Sequence, residues 1–295
     1  MTLARTADLV RAARAAGTGI GAFNVVHLET AEALVAASEL ARLPVILQIS
    51  QNCAEYHGGL GPIGIASLAL ASAVATPVSV HLDHAENVDL VSEAIDLGFS
   101  SVMFDGGALP YRENVALTAR VVERARAAGV YVEGELGEVG GKDGAHAPGV
   151  RTDPVEARSF VTETGVDALA VAVGSSHAMT ERTAALDLAL IMRLREALDV
   201  PLVLHGSSGV ADEQLVGAVR AGMTKVNVST HLNGVFTRAI RASLDANPQV
   251  VDSRRYVRDG RTAIVSEAAR MLGMLEGLPV PAAGARDLPR LSSTC

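Results

Sequence analysis

Eight short apolar, β-branched runs, each followed by a helical segment, constrain this chain more than any other feature of its sequence. The runs span 19–25, 44–49, 77–82, 100–104, 130–135, 167–173, 200–205 and 224–229. Several are apolar almost throughout, as expected of parallel strands buried on both faces. Helical spacing predicts segments at 28–41, 60–75, 87–97, 111–128, 154–164, 187–198, 211–221 and 231–245, and an amphipathic Arg/Ala stretch at the N-terminus reads as a first helix. Gly17, Gly98, Gly129, Gly165 and Gly222 each stand where a helix should stop before the next strand. Eight strands alternating with helices is the count of a closed (β/α)8 barrel. A doubly wound open sheet ranks second, because no GxGxxG follows the first strand. No linker divides the chain, so 1–279 is expected to form one barrel domain and 280–295 a loosely ordered tail.

With 49% hydrophobic and 3% aromatic residues and no Trp, the core must be packed mainly with Ala, Val, Leu and Ile. A net charge of −8 argues against a nucleic-acid or membrane-surface binder, both of which need a basic field. A small anionic substrate would therefore need a local positive site, such as a metal, an Arg or free backbone N–H groups. Cys53 and Cys295 lie far apart without metal-type spacing, which fits a reducing cytoplasm. No run approaches a membrane span in length.

Such barrels place their chemistry at the C-terminal ends of the strands, and the reactive residues gather there. The third run ends in His81, Asp83 and His84; Asp105 follows the fourth; Glu133 and Glu135 end the fifth. His177 follows the sixth, His205 ends the seventh, and Asn227 and Ser229 lie at the end of the eighth. His84, His177 and His205 thus come from three strands to one mouth, and three imidazoles with an open position are a catalytic zinc arrangement. The plainer alternative for any one of them is a hydrogen-bonded structural histidine. His81 reads as a supporting partner, and His27, His57 and His146 as surface or loop residues. Gly174 to Ser176, Gly206 to Gly209 and Asn227 to Thr230 supply small residues, hydroxyls and backbone N–H groups that can cradle phosphate. Ordinary turn chemistry is the competing account of each.

The segments HLDH, SSVMFDGGALPYREN, VEGELGEVGG, VGSSH, LHGSSGV and KVNVST, in that order, resemble the signatures of the class II fructose- and tagatose-bisphosphate aldolases. The likeness runs from about residue 3 to 275. It implies a TIM barrel, a Zn²⁺-dependent aldol cleavage in the cytoplasm, and a homodimer or homotetramer. Position by position, His84, His177 and His205 resemble the zinc ligands, and Asp105 and Glu135 a second or alternative metal position. Asp83 resembles the acid that protonates the C4 hydroxylate of the cleaved ketose. Gly206, Ser207, Ser208, Asn227, Val228, Ser229 and Thr230 match the segments that bind glycerone phosphate, with Gly174 in the neighbouring turn. Ser50 matches a residue near the aldehyde half, and Arg254 an arginine for the distal phosphate that often reaches a neighbouring subunit. The implied reaction cleaves fructose 1,6-bisphosphate to glycerone phosphate and glyceraldehyde 3-phosphate through a zinc-stabilised enediolate. Tagatose 1,6-bisphosphate, or a dehydro-deoxy-gluconate phosphate, is the alternative substrate, and a non-catalytic sugar-phosphate-binding barrel the alternative class.

Four positions depart from that family's pattern. Asp143, in GlyGlyLysAspGly (140–144), stands where the mobile loop carries a Glu base, one methylene shorter. Ala178 replaces a Gly after His177, His231 an acid after NVST, and Ser253 a Pro in AspSerArg. The chain offers only two lysines, Lys142 and Lys225, for Schiff-base chemistry. The first is in the glycine-rich loop, and the second is expected at the N-terminal start of strand eight, the wrong end of the barrel.

Overall fold

A computed structural model describes residues 3–136, 151–176 and 181–278. Eight parallel strands close into a barrel in chain order: β1 (Ile20–Asn24), β2 (Val45–Ser50), β3 (Val78–Ala85), β4 (Ser101–Phe104), β5 (Tyr131–Glu135), β6 (Ala168–Ala170), β7 (Leu202–Leu204) and β8 (Met223–Val228), with β8 pairing back to β1. The helices are α1 (Thr6–Ala16), α2 (Leu28–Ala41), α3 (Gln51–Tyr56), α4 (Leu60–Ala73), α5 (Val88–Leu97), α6 (Tyr111–Ala127), α7 (Pro154–Thr164), α8 (Leu188–Ala197), α9 (Asp212–Ala221), α10 (Thr230–Ala246) and α11 (Ser253–Leu275). The barrel expected from the alternation is the one observed. Among the described residues, no helix is long and apolar enough to cross a membrane.

Local sequence explains the punctuation. Asp153 caps α7 by accepting the N–H groups of Val155 and Glu156, Pro154 supplies the first helical φ, and Gly165 closes the helix at φ 70°. The five glycines expected to stop helices all have positive φ.

Two helices escape the sequence reading. One is short α3. The other is α11, a 23-residue helix capped by Asp252, which packs along α10 and α2. α10 and α11 form an antiparallel hairpin in which Gly260 leaves room for the Phe236 ring. Strands β6 and β7 are shorter than the runs 167–173 and 200–205, because the chain leaves the ladder as it approaches the mouth.

The faces of the strands differ in chemistry. Outward residues such as Leu47, Leu82, Leu169, Leu204 and Val226 join the helices in one continuous apolar cluster. Among the described residues, inward side chains form two small apolar groups, Ile20, Ala22 and Ile46 against Leu9, Val10 and Ala13 of α1 on one side and Met103, Ala168, Ala170 and Val203 on the other. Buried polar side chains, Ser79, His81, Ser101, Glu133 and Lys225, occupy the space between them.

Candidate active site

Asp83 and His84 are consecutive, and in a regular strand they would face opposite sides of the sheet. The backbone of β3 breaks that alternation. Its register with β4 shifts between Leu82 and Ala85, and His84 adopts a left-handed φ of 48°. Such a conformation costs a non-glycine residue on the order of 1–2 kcal/mol, and here it lets two neighbouring side chains share one mouth. The ligand atoms of Asp83, His84 and His205 lie within 4.8 Å of one another, as do those of His84, Asp105 and Glu135.

The individual contacts define the orientation of each ring. His84 Nδ1 is 2.7 Å from Asp105 Oδ2 and 3.8 Å from Glu135 Oε2. Its Nε2 lies 2.8 Å from His205 Nδ1, with the two rings edge to face at 4.6 Å. Burial alone would push the His84 imidazole down. The Asp83, Asp105 and Glu135 carboxylates overcome that and raise it to about 9. This cluster of buried nitrogen and carboxylate donors suits a divalent ion of the zinc type, which would bind in place of the His84 proton.

Asp83 sits in a cradle of amides. Its Oδ1 accepts from Asn227 Nδ2 at 3.3 Å, and its Oδ2 from Asn24 at 3.3 Å and Gln48 at 3.4 Å. Gln48 also donates to Asn24 Oδ1 at 2.6 Å, which ties β1 to β2 beneath the carboxylate. Sequence reading passed over Asn24 and Gln48. The signal was there: each is an amide inside an otherwise apolar strand that is buried on both faces.

The glycine-rich turns form one surface. A Cβ on Gly206 (φ 66°) would meet the backbone of Ser176 at 2.6 Å, and one on Gly174 (φ 117°) the Ala185 carbonyl oxygen at 2.4 Å. Only glycine allows these loops to pack together. Ser207 Oγ bonds the Asn227 carbonyl, Ser208 Oγ accepts the Ser229 N–H at 3.3 Å, and Ser175 Oγ donates to the His205 carbonyl at 2.6 Å. Val228 is fully buried, and Ser229 and Thr230 open α10. Ser50 ends β2 directly opposite Asp83 and caps α3 through Cys53 N.

Not every expected residue joins this group. Arg254 is 89% exposed at the start of α11 and chelates Asp252 through Nε and Nη2 at 3.0 and 2.9 Å. Asp143, Lys142, His146, His177 and Ala178 lie outside the described residues, as do residues 279–295, which include the expected tail. His231, on the first turn of α10, bonds Glu267 at 2.7 Å, and Glu267 also holds Arg270. The change from acid to imidazole at this position is thus matched by a carboxylate on α11.

Lys225 requires a correction. It is not stranded at the far end of the barrel but is the third residue of β8, 1% exposed, with Nζ donating to Glu133 Oε2 at 2.8 Å. The long side chain climbs inside the barrel to lie one carboxylate away from His205, whose Nε2 is 2.8 Å from Glu133 Oε1. Held in that pair, it is not free to attack a substrate carbonyl.

Comparison with known proteins agrees with this geometry. Residues 4–277 match the family described as fructose-bisphosphate aldolase class-II. The chain is 39% identical over 268 residues to a fructose-bisphosphate aldolase of Geobacillus stearothermophilus, covering 90% of this chain and 93% of that one. It is 37% identical over 277 residues to one from Streptococcus pneumoniae serotype 4, covering 90% and 94%. The crystal structure of the YdjI aldolase from Escherichia coli K12 superposes with a TM-score of 0.81 at 29% identity, covering 93% of this chain and 97% of that chain. A barrel that bends its third strand to bring Asp83 beside His84 and His205, in a sequence alike along nearly its whole length, places the chain in the class II fructose-bisphosphate aldolase family.

Proposed function

We propose that this chain is a metal-dependent aldehyde-lyase that cleaves a ketose 1,6-bisphosphate, with fructose 1,6-bisphosphate the favoured substrate, to glycerone phosphate and glyceraldehyde 3-phosphate in the cytoplasm. The observation that carries this reading is the convergence of Asp83, His84 and His205, whose ligand atoms lie within 4.8 Å of one another. His84, His205 and His177 would hold a Zn²⁺, with Asp105 and Glu135 at a second or alternative position. Bound there, the ion supplies Lewis-acid stabilisation of the negative charge that develops on the three-carbon ketone fragment.

The chain's own groups handle protons and phosphates. Cleaving C3–C4 requires the C4 hydroxyl to lose its proton as the aldehyde forms. Asp83, fixed by Asn24, Gln48 and Asn227, receives that proton and returns it in the condensation direction. A second carboxylate, Asp143, exchanges the proton at C3. Gly174, Gly206, Ser207, Ser208, Asn227, Val228, Ser229 and Thr230 offer hydroxyl and backbone N–H groups to the ketone-side phosphate, and Ser50 faces the aldehyde half. Arg254, exposed and extended from the α10–α11 hairpin, would serve the distal phosphate of a neighbouring subunit in a homodimer or homotetramer.

A coupled retro-aldol assay on fructose and tagatose 1,6-bisphosphates, with metal analysis of the same sample, tests the reading. EDTA is expected to abolish cleavage and Zn²⁺ or Co²⁺ to restore it. Activity untouched by chelation would reject a metal-dependent mechanism, and a preference for tagatose 1,6-bisphosphate would change the substrate but keep the chemistry.

A further inference from the structure

A continuous file of hydrogen-bonded side chains runs down the barrel axis from the mouth. His205 Nε2 meets Glu133 Oε1 at 2.8 Å, Glu133 Oε2 accepts from Lys225 Nζ at 2.8 Å, and Lys225 Nζ lies 3.4 Å from His81 Nε2. His81 Nδ1 is 2.8 Å from Ser101 Oγ, which donates to Thr6 Oγ1 of α1 at 2.7 Å. Every member of this file is buried, with Glu133, His81 and His205 at 0% exposure and Lys225 at 1%.

We propose that Lys225 is a positioning residue of the metal centre: by pinning Glu133, it fixes His205 in the tautomer with its proton on Nε2 and its Nδ1 lone pair turned to the mouth. This rests on the reading of the mouth as a metal centre. The argument begins with the carboxylate. An ionised Glu has only acceptor oxygens, so a ring nitrogen 2.8 Å away must carry hydrogen. In the singly protonated ring the proton is on Nε2, which lies 2.8 Å from Glu133 Oε1 and 3.1 Å from Asn227 Nδ2, and Nδ1, facing His84 Nε2 at 2.8 Å, is left to act as a ligand. A carboxylate behind a metal-binding imidazole is the usual means of fixing its orientation. Glu133 could do this loosely if it were free to rotate, but with one oxygen on His205 and the other on Lys225 both ends of the carboxylate are held.

The pair is hard to explain as a stability device. The neighbouring inward positions are filled by Met103, Ala168, Ala170 and Val203, so this barrel interior accepts apolar side chains. Replacing a buried ion pair with apolar residues of similar size is often neutral or stabilising. A purely structural Lys225 would therefore be replaceable without consequence for the His205 ring as long as Glu133 stays against it. A positioning Lys225 would not.

The test uses the full-length protein, first stripped of metal. Side-chain ¹⁵N spectra of its histidines, with His205 assigned by its loss in His205→Asn, are expected to show the Nε2–H tautomer alone in the wild type. In Lys225→Met that single-tautomer signature should disappear and Zn²⁺ or Co²⁺ affinity should fall about 10–100-fold. If the lone substitution fails to fold because Glu133 is left unpaired, Lys225→Gln, which weakens the hold on Glu133 but leaves its carboxylate against His205, is read in the same way. Lys225→Arg, which keeps a cation near Glu133, should recover part of the affinity. An unchanged His205 tautomer with metal affinity within about twofold of wild type, in whichever variant folds, overturns the proposal. A wild type that takes up no metal at the mouth refutes the metal-centre reading instead, and the metal-free spectra still decide whether Lys225 controls the ring.

Discussion

Leu204 and His205 are neighbours at the end of β7, yet they belong to different regions of the molecule. Leu204 points to the helices and joins the continuous apolar cluster that surrounds the barrel, whereas His205 points to the axis and bonds His84 and Glu133. Both are 0% exposed. What separates them is the kind of energy each holds. The outer region is stabilised by burial and close packing, which are tolerant of chemistry but not of volume. The inner region is held by directed hydrogen bonds among ionisable groups, which depend on charge and geometry and leave those groups poised at the mouth. The barrel thus divides its strands between folding on one face and reactivity on the other.

The largest effect that should separate the two regions comes from Asp83→Asn. Removing the carboxylate proposed to accept the C4 proton should lower kcat about 10²–10⁴-fold, with a smaller effect on thermal stability, because the amide keeps the carboxylate's shape although its NH2 group cannot accept from the amides around it. An Asp83→Asn variant with normal kcat would move the proton chemistry elsewhere. The opposite behaviour is expected of Leu204→Ala. It should lose about 2–5 kcal/mol of stability by urea unfolding, while activity per folded molecule stays near wild type.

The third comparison concerns acid. Burial pushes the Glu267 carboxyl up, but Arg270 and His231 outweigh it and hold it at about 2, below its ordinary 4.5. Because the folded state depresses this pKa, its stabilisation is complete above about pH 4.5 and disappears as the pH falls towards 2. Stability curves of wild type and Glu267→Gln should therefore stand apart at pH 6, by on the order of 2 kcal/mol, and converge near pH 2. Parallel curves would show that the α10–α11 network contributes no pH-dependent stability.

Smaller effects lie in the loops. Gly206→Ala places a Cβ against Ser176 and demands a strained φ, so the two glycine-rich turns must separate. KM for the ketose bisphosphate should rise several-fold, with kcat changed less, and steady-state kinetics will show the split. The smallest stability change is expected for Arg254→Ala, since an exposed pair with Asp252 contributes little. If Arg254 serves a neighbouring subunit, KM should rise even so. An unchanged KM would confine Arg254 to its contact with Asp252.

What the sequence discloses follows the same division. The outer face repeats apolar residues strand after strand, and that repetition makes the barrel readable. Reactive residues at the strand ends are readable for a related reason: a barrel of known direction has one mouth, so Asp83, His84, Asp105, Glu135 and His205 must meet there. The break at His84 was not readable, because strict alternation in HLDH would separate Asp83 from His84, and only the left-handed φ reunites them. The sequence position of Lys225 marks only its Cα, while its four-carbon stem carries the ammonium upward to Glu133. Asn24 and Gln48 were hidden inside apolar runs whose overall pattern already satisfied the expectation of a strand. The barrel count does not call for α11, because a helix already follows each strand, although Asp252 caps it and Ile264, Ala268, Met271, Leu272 and Leu275 repeat at helical spacing.

The central claim is that one divalent ion is held between rings on the third and seventh strands. Anomalous diffraction at the zinc edge, from crystals of the protein with its metal, tests this most directly. The expected result is a single strong peak within about 2.0–2.2 Å of His84 Nε2 and His205 Nδ1. A fully active protein with no peak there, or with its only peak away from these nitrogens, would contradict it.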